Sequence, residues 1–232
     1  MNFKIKTLVA MSLCYLMTGA AMASDKKTNS GDAPDSDAKA EASVISKLSL
    51  ARNLATVAAE NKDAVLMVAA AKLEGSIATT SSTRDKTSET DSEGKADEKT
   101  SKAQTLFAQA RELADGDEHM LAVIDSTESA VNSSVKGRSA GPASSVTRVK
   151  ARSSDIYRLS FRGGEKAELA IAGDNDTDLD IYVYDENGNA ICSSTTTSDN
   201  EYCSWYPRWT GIFVIKVKNL GSVYNQYRLV TN

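Results

Sequence analysis

The chain has 232 residues, 27 Lys and Arg against 31 Asp and Glu, and a formal net charge of -4. No basic stripe is present to neutralise phosphates, which argues against a nucleic-acid partner. One histidine and three cysteines leave little from which to build a transition-metal site.

Residues 1–23 read as an export signal. Lys4 and Lys6 are followed by an apolar run from Leu8 to Met17, and Gly19-Ala-Ala-Met-Ala23 offers small residues to a signal peptidase. Cleavage is expected after Ala23, giving a periplasmic or secreted protein whose net charge becomes -6 once the two lysines are lost. The apolar run is too short to persist as a membrane span, and no membrane insertion is expected after cleavage. Cys14 lacks a small residue before it, so lipidation is not expected. Cys192 and Cys203 then remain in an oxidising compartment, where a pair is most simply a disulfide.

Residues 24–40 are polar and small and are expected to be a disordered leader. An α-helical region follows over 41–132. Val44, Ile45, Leu48, Ala51, Leu54, Ala55 and Ala58 recur at helical spacing behind Ser43, and Asp63 is placed to cap a second helix from Ala64 to Leu73, which Gly75 should end. The stretch 79–101 has no large apolar residue and is expected to be a disordered insert. Leu106, Phe107, Ala110 and Leu113 mark a third helix. Asp115-Gly-Asp117 separates it from a fourth through Met120, Leu121, Ile124 and Val131. Residues 133–151, rich in Ser, Gly and Lys/Arg, read as a linker.

From 152 to 232 the character changes to short β-type runs. Strands are expected near 155–161, 166–172, 178–184, 190–193, 201–205, 211–217 and 224–230, with turns at Gly163-Gly164 and Asn187-Gly188. The fold class is therefore α+β and multidomain: N-terminal α-helical hairpins followed by a C-terminal antiparallel β-sandwich, jelly-roll-like.

Four runs carry a family resemblance. These are Asp155-Ile-Tyr-Arg-Leu, Asp178-Leu-Asp-Ile-Tyr-Val-Tyr-Asp-Glu-Asn-Gly188, Gly211-Ile-Phe-Val-Ile-Lys-Val217 and Tyr227-Arg-Leu-Val230. Over roughly 150–232 the chain resembles the bacterial pre-peptidase C-terminal domain, a module appended to secreted peptidases and to other exported proteins. The resemblance implies a jelly-roll sandwich with an accessory role in binding or stabilisation, sometimes with calcium, and it implies no catalysis. The usual upstream protease is absent, and its place is taken by a small helical region. The whole arrangement also resembles exported bacterial proteins that carry no peptidase.

The chemically richest stretch is Asp174 to Asp185. Asp174, Asp176, Asp178 and Asp180 present carboxylates of the kind calcium takes, and Asn200, Glu201 or Asp155 would complete a shell. The EF-hand pattern fails, since Leu179 stands at the sixth position and Asp185 at the twelfth. The bland alternative is a solvated acidic turn. Gly137-Arg-Ser-Ala-Gly141 matches the nucleophile-elbow pattern, but it sits in a linker and the single histidine, His119, lies upstream, so a chance match is the better reading. Tyr202, Trp205, Tyr206 and Trp209 cluster beside the expected disulfide. Most of them should be sandwich core, and Trp205, Arg208 and Trp209 are the candidate contacts to a sugar ring or peptide.

The expectation is therefore a non-enzymatic exported protein whose sandwich binds or stabilises a protein or polysaccharide of the cell envelope, with calcium for order. Two alternatives stand beside it. One is an accessory or hydrolase component of a secreted enzyme system, and the other is a helical adaptor that holds a partner peptide.

Overall fold

The computed structural model describes residues 27–33, 43–89, 102–135 and 141–232. The expected signal peptide, its cleavage point and most of the Gly137–Gly141 run lie outside these residues.

Among the described residues, four helices form two hairpins: α1 (Val44–Asn61) with α2 (Ala64–Gly75), and α3 (Lys102–Leu113) with α4 (Glu118–Val135). The expected caps are in place. Ser43 accepts from the Ser46 amide and Asp63 from the Leu66 amide, while Asp117 accepts from His119 and Met120. Ala58, Met67, Ala71, Leu106, Phe107, Ala110 and Ile124 build an aliphatic, alanine-rich helical core. Gly75 does not end α2 by a left-handed turn. It lies within the helix, where a Cβ would stand 2.4 Å from Val131 Cγ1, so its role is close approach of α2 to α4.

Among the described residues the sandwich has ten strands: β1 (Thr80–Ser81), β2 (Lys86–Ser88), β3 (Ala143–Val149), β4 (Ser154–Phe161), β5 (Ala167–Ala172), β6 (Leu179–Tyr184), β7 (Ala190–Ser194), β8 (Asn200–Trp205), β9 (Gly211–Asn219) and β10 (Asn225–Thr231). One sheet runs β1-β3-β10-β5-β8 and the other β2-β4-β9-β6-β7. Every pairing is antiparallel except β1 with β3, in register Thr80 with Ala143. Inward-facing Tyr157, Leu169, Ile171, Leu179, Ile181, Val183, Phe213, Ile215, Val217, Tyr227 and Leu229 fill the space between the sheets. This is the α+β architecture of helical hairpins and antiparallel sandwich.

Three stretches differ from expectation. The described part of the polar insert 79–101 supplies β1 and β2, one edge strand for each sheet. The expected linker 133–151 contains the end of α4 and all of β3. Within the expected leader, Asn29 is fully buried against the sandwich. Backbone pairing explains β1 and β2, because an edge strand needs partners more than it needs apolar side chains. β3 pairs with β1 on one side and β10 on the other, and Asn29 is held by hydrogen bonds to Asp185 and Trp209.

Both lateral edges of the sandwich are closed. On one side Cys192 of β7 and Cys203 of β8 form a disulfide between the two sheets, with Cα atoms 6.1 Å apart. On the other, the 82–85 connection sets Arg84 against β3 and β10. Its guanidinium donates to Ser145 Oγ, the Ala143 and Leu229 carbonyls and Thr231 Oγ1 at 2.7–3.0 Å. Beside it lies a buried polar network. Asp155 accepts from Tyr227 Oη at 2.7 Å, Lys86 Nζ at 2.6 Å and Ser88 Oγ at 2.5 Å. Burial is the main reason that the Tyr157 and Tyr227 phenols are held well above their ordinary value.

The helices lie on the outer face of the β1-β3-β10-β5-β8 sheet. Ile45 and Leu48 of α1 pack on Ala170 and Val230. Glu74 of α2 joins the layers, accepting Arg52 Nη2 of α1 at 2.6 Å and Arg228 Nη1 of β10 at 3.3 Å. A buried carboxylate is tolerable where cationic donors face it; here two guanidiniums share one carboxylate, both through Oε1.

Candidate functional site

The acidic loop before β6 comes first, because sequence reasoning placed an ion there. Its carboxylates do not converge. Asp174 accepts from the Asp176 amide at 3.2 Å and the Gln226 amide at 2.8 Å, acting as a turn cap. Asp176 is exposed. Asp180 is buried and accepts from Tyr182 Oη at 2.9 Å. Among the described residues, no group of three or more His, Cys, Asp or Glu side chains is disposed to hold a metal ion. The four-aspartate shell thus does not fit.

Asp178 is different. Its Oδ1 is buried and accepts no hydrogen bond, and the same holds for the neighbouring Thr177 Oγ1 and for Asn225 Oδ1. Asn225 is tied to this loop, donating through Nδ2 to the Thr177 carbonyl at 3.2 Å and to Asp199 Oδ2 at 3.1 Å. Desolvation, then the charges of Asp180 and Asp199, push the Asp178 carboxyl above its ordinary value. Desolvation does the same for Asp199. Asn200, offered for the same shell, instead faces the helices. Glu201 is taken by Ser194 and Thr196, and Asp155 by the network beside Lys86.

The binding candidates separate. Trp205 is core, its ring 4.8 Å from Phe161 and 5.3 Å from Phe213, so it contributes to no surface platform. Arg208 is exposed and Trp209 half-buried, with the Trp209 indole N–H donating to Glu186 Oε1 at 2.5 Å. His119 is an exposed residue at the start of α4.

Sequence reasoning missed a crevice between the layers. A cavity of about 360 Å³ opens between α1, α3 and the β5–β6 connection. Arg52, Thr56 and Glu60 of α1, Thr105 and Gln109 of α3, and Asp174, Asn175 and Asn200 of the sandwich supply its polar wall. Ala55, Ala59, Leu106 and Gly173 form the rest. Two of the wall residues are more than nine-tenths buried and keep an unspent polar atom: Arg52 Nε, a donor, and Asn200 Oδ1, an acceptor. One signal was legible. Arg52 sits four residues after Leu48 on the apolar stripe of α1, and a charge placed there needs a partner.

No family model matches the chain, and no curated protein matches it. Solved structures similar in shape cover just over a third of it. The pre-peptidase C-terminal domain of a Bacillus anthracis collagenase has 9% identity and a TM-score of 0.32, over 38% of this chain and 87% of that one. Aeromonas hydrophila PliG, a periplasmic inhibitor of g-type lysozyme, has 12% identity and a TM-score of 0.31, over 39% and 84%. A carbohydrate-binding module, CBM36 in complex with calcium and xylotriose, has 12% identity and a TM-score of 0.25, over 37% and 88%. At these values the likenesses assign no function.

Proposed function

We propose that this is a non-enzymatic, exported binding protein that takes a hydroxyl-rich segment of an envelope polysaccharide into the crevice between its helices and its sandwich. The observation that carries this reading is the pair of buried polar atoms without a partner, Arg52 Nε and Asn200 Oδ1, on two residues that line that cavity. Leaving such a group without a partner costs about 1–3 kcal/mol, so the site favours an occupant that donates and accepts at short range. Vicinal hydroxyls do both. Thr56, Gln109 and Asn175 extend the same alternation of donors and acceptors, and the apolar part of the wall suits the C–H face of a sugar ring. The helical hairpins are then one wall of the site as well as a brace. The resemblance of residues 150–232 to pre-peptidase C-terminal domains belongs to this reading as an accessory, ligand-holding role.

The test is an NMR titration of the full chain with a panel of soluble envelope glycan fragments. Shifts of the Asn200, Gln109 and Asn175 side-chain amides are expected, together with about tenfold weaker binding for Asn200→Ala. Fragments that leave those amides unmoved at millimolar concentration would sink the reading, and release of shortened fragments over time would replace it with an enzymatic one.

A second reading concerns calcium. The unpartnered oxygens of Thr177, Asp178 and Asn225, with Asp199 beside them, favour a hard cation at the rim through an oxygen set different from the four aspartates. There the ion would order the loop and take no part in chemistry.

A further inference from the structure

The segment 27–31 lies across the end of the sandwich where β6 turns into β7 and β8 leads to β9, bending at Asn29 and bridging to Tyr206 at Gly31. This is the far end of β6 from the acidic loop, so the site stands apart from the crevice. Alternate residues make the contacts. The Lys27 carbonyl accepts from Asn187 Nδ2 at 3.0 Å and Asn189 Nδ2 at 3.3 Å, the Asn29 amide donates to Asp185 Oδ2 at 2.9 Å, and the Gly31 amide donates to the Tyr206 carbonyl at 2.7 Å. One side chain is read in full. Asn29 has no exposed surface, its Oδ1 accepts from the Trp209 amide at 3.1 Å, and its Nδ2 donates to the Trp209 carbonyl at 3.1 Å and to Glu186 Oε2 at 3.4 Å. Only a carboxamide meets both the donor and the acceptor of one peptide group in this way. A Cβ at Gly31 would come within 3.2 Å of Arg208 Cγ, so a larger residue there needs the exposed Arg208 side chain to give way.

No residue of this segment belongs to the apolar core of the sandwich. Its attachment is polar, through contacts to Asp185, Glu186, Asn187, Asn189, Tyr206 and Trp209. We infer that this corner is a peptide-binding groove selective for an Asn-x-Gly segment. Residues 27–31 fill it in cis, and a partner protein presenting the same chemistry in trans binds by displacing them. The mode is capture of the segment's main chain by the side chains of Asp185, Asn187 and Asn189 and one backbone bond to Tyr206, with one side-chain pocket giving selectivity. It also gives Arg208 and Trp209 a role in peptide contact.

The test uses the full chain with Asn29→Ala or Gly31→Val, each of which loosens the cis segment, and a labelled synthetic peptide of residues 27–33 as probe. A tethered segment competes at an effective concentration of order millimolar, so the peptide should bind either variant about tenfold or more tightly than it binds the unaltered chain. Binding should return the Trp209 indole resonance to its unaltered position, and a peptide with Ala at the Asn position should fail. Equal binding by variants and unaltered chain, equal binding by the Ala peptide, or no binding to variants that keep their far-ultraviolet spectrum would each overturn the inference. So would loss of folding in both variants, because the segment would then be structural.

Discussion

Two carboxylates at opposite ends of β6 respond to pH in opposite senses. Desolvation first, then Asp180 and Asp199, raises the Asp178 carboxyl. Its folded state therefore prefers the proton, and its contribution to stability, present at low pH, is lost as pH rises through the folded value. At pH 7 without calcium, Asp178→Asn should leave the melting temperature unchanged or higher. With millimolar calcium the unaltered chain should gain a few degrees that the variant does not. Equal melting with calcium and with chelator would remove the ion from the account. For Asp185, burial opposes ionisation, but donors from Asn189, Asn29 and Asn187 outweigh it and hold the carboxyl below its ordinary value. Its contribution is present above the unfolded value of about 3.9 and is lost as pH falls through the folded one. Acidification through that window should loosen residues 27–31 and expose Trp209, a change readable as a red shift of its fluorescence. A spectrum that stays constant until global unfolding would contradict this. The identity of these acidic residues was legible in the sequence but their roles were not, because a carboxylate that caps a turn and one left without a donor look alike until the chain around them is placed.

At the scale of elements, Gly75 offers a contest of signs. In an exposed helix, Gly→Ala stabilises by about 0.5–1 kcal/mol. Here the added methyl would stand 2.4 Å from Val131 Cγ1, and overpacking of this kind costs about 1–3 kcal/mol. Urea unfolding of Gly75→Ala should therefore show a loss, and a gain would mean that α2 and α4 are not in such close contact. The helices were legible because apolar residues recur at their period and Ser43, Asp63 and Asp117 stand at their starts. Seven strands were legible from alternation and turn glycines, with positive φ realised at Gly164 and Gly188. β1, β2 and β3 were not. Thr80-Ser81, Lys86-Thr-Ser88 and Ala143-Ser-Ser-Val-Thr-Arg-Val149 have the composition of loops, and only pairing with β3, β4 and β10 makes them strands. The crevice was illegible for a related reason. Its walls come from α1, α3 and the sandwich, and no local pattern joins Arg52 to Asn200.

Across the whole molecule, stability rests on closing two open edges. The Cys192–Cys203 bond joins β7 to β8 across the sheets, and removing a native disulfide of this kind costs about 2–4 kcal/mol. Cys192→Ser with Cys203→Ser should lower the urea midpoint accordingly. Faster amide exchange should be concentrated in β7 and β8, while the helical core around Phe107 and Ile124 stays protected. Uniform loss of protection would show that helices and sandwich unfold as one unit. The opposite edge, held by Arg84 and the Lys86–Asp155 pair, should be unaffected by reductant.

The short strands β1 and β2 set an order of events. Residues 80–88 complete sheets whose other strands begin at residue 143, and Asn29 waits for Trp209, 180 positions later. A chain delivered N-terminus first carries these pieces as unpaired polypeptide until nearly all of it has followed. Their serine, threonine, lysine and asparagine content is what keeps them in water during that interval. The same composition that hid them from sequence reading is the condition under which a late-assembling sandwich avoids sticking to its neighbours.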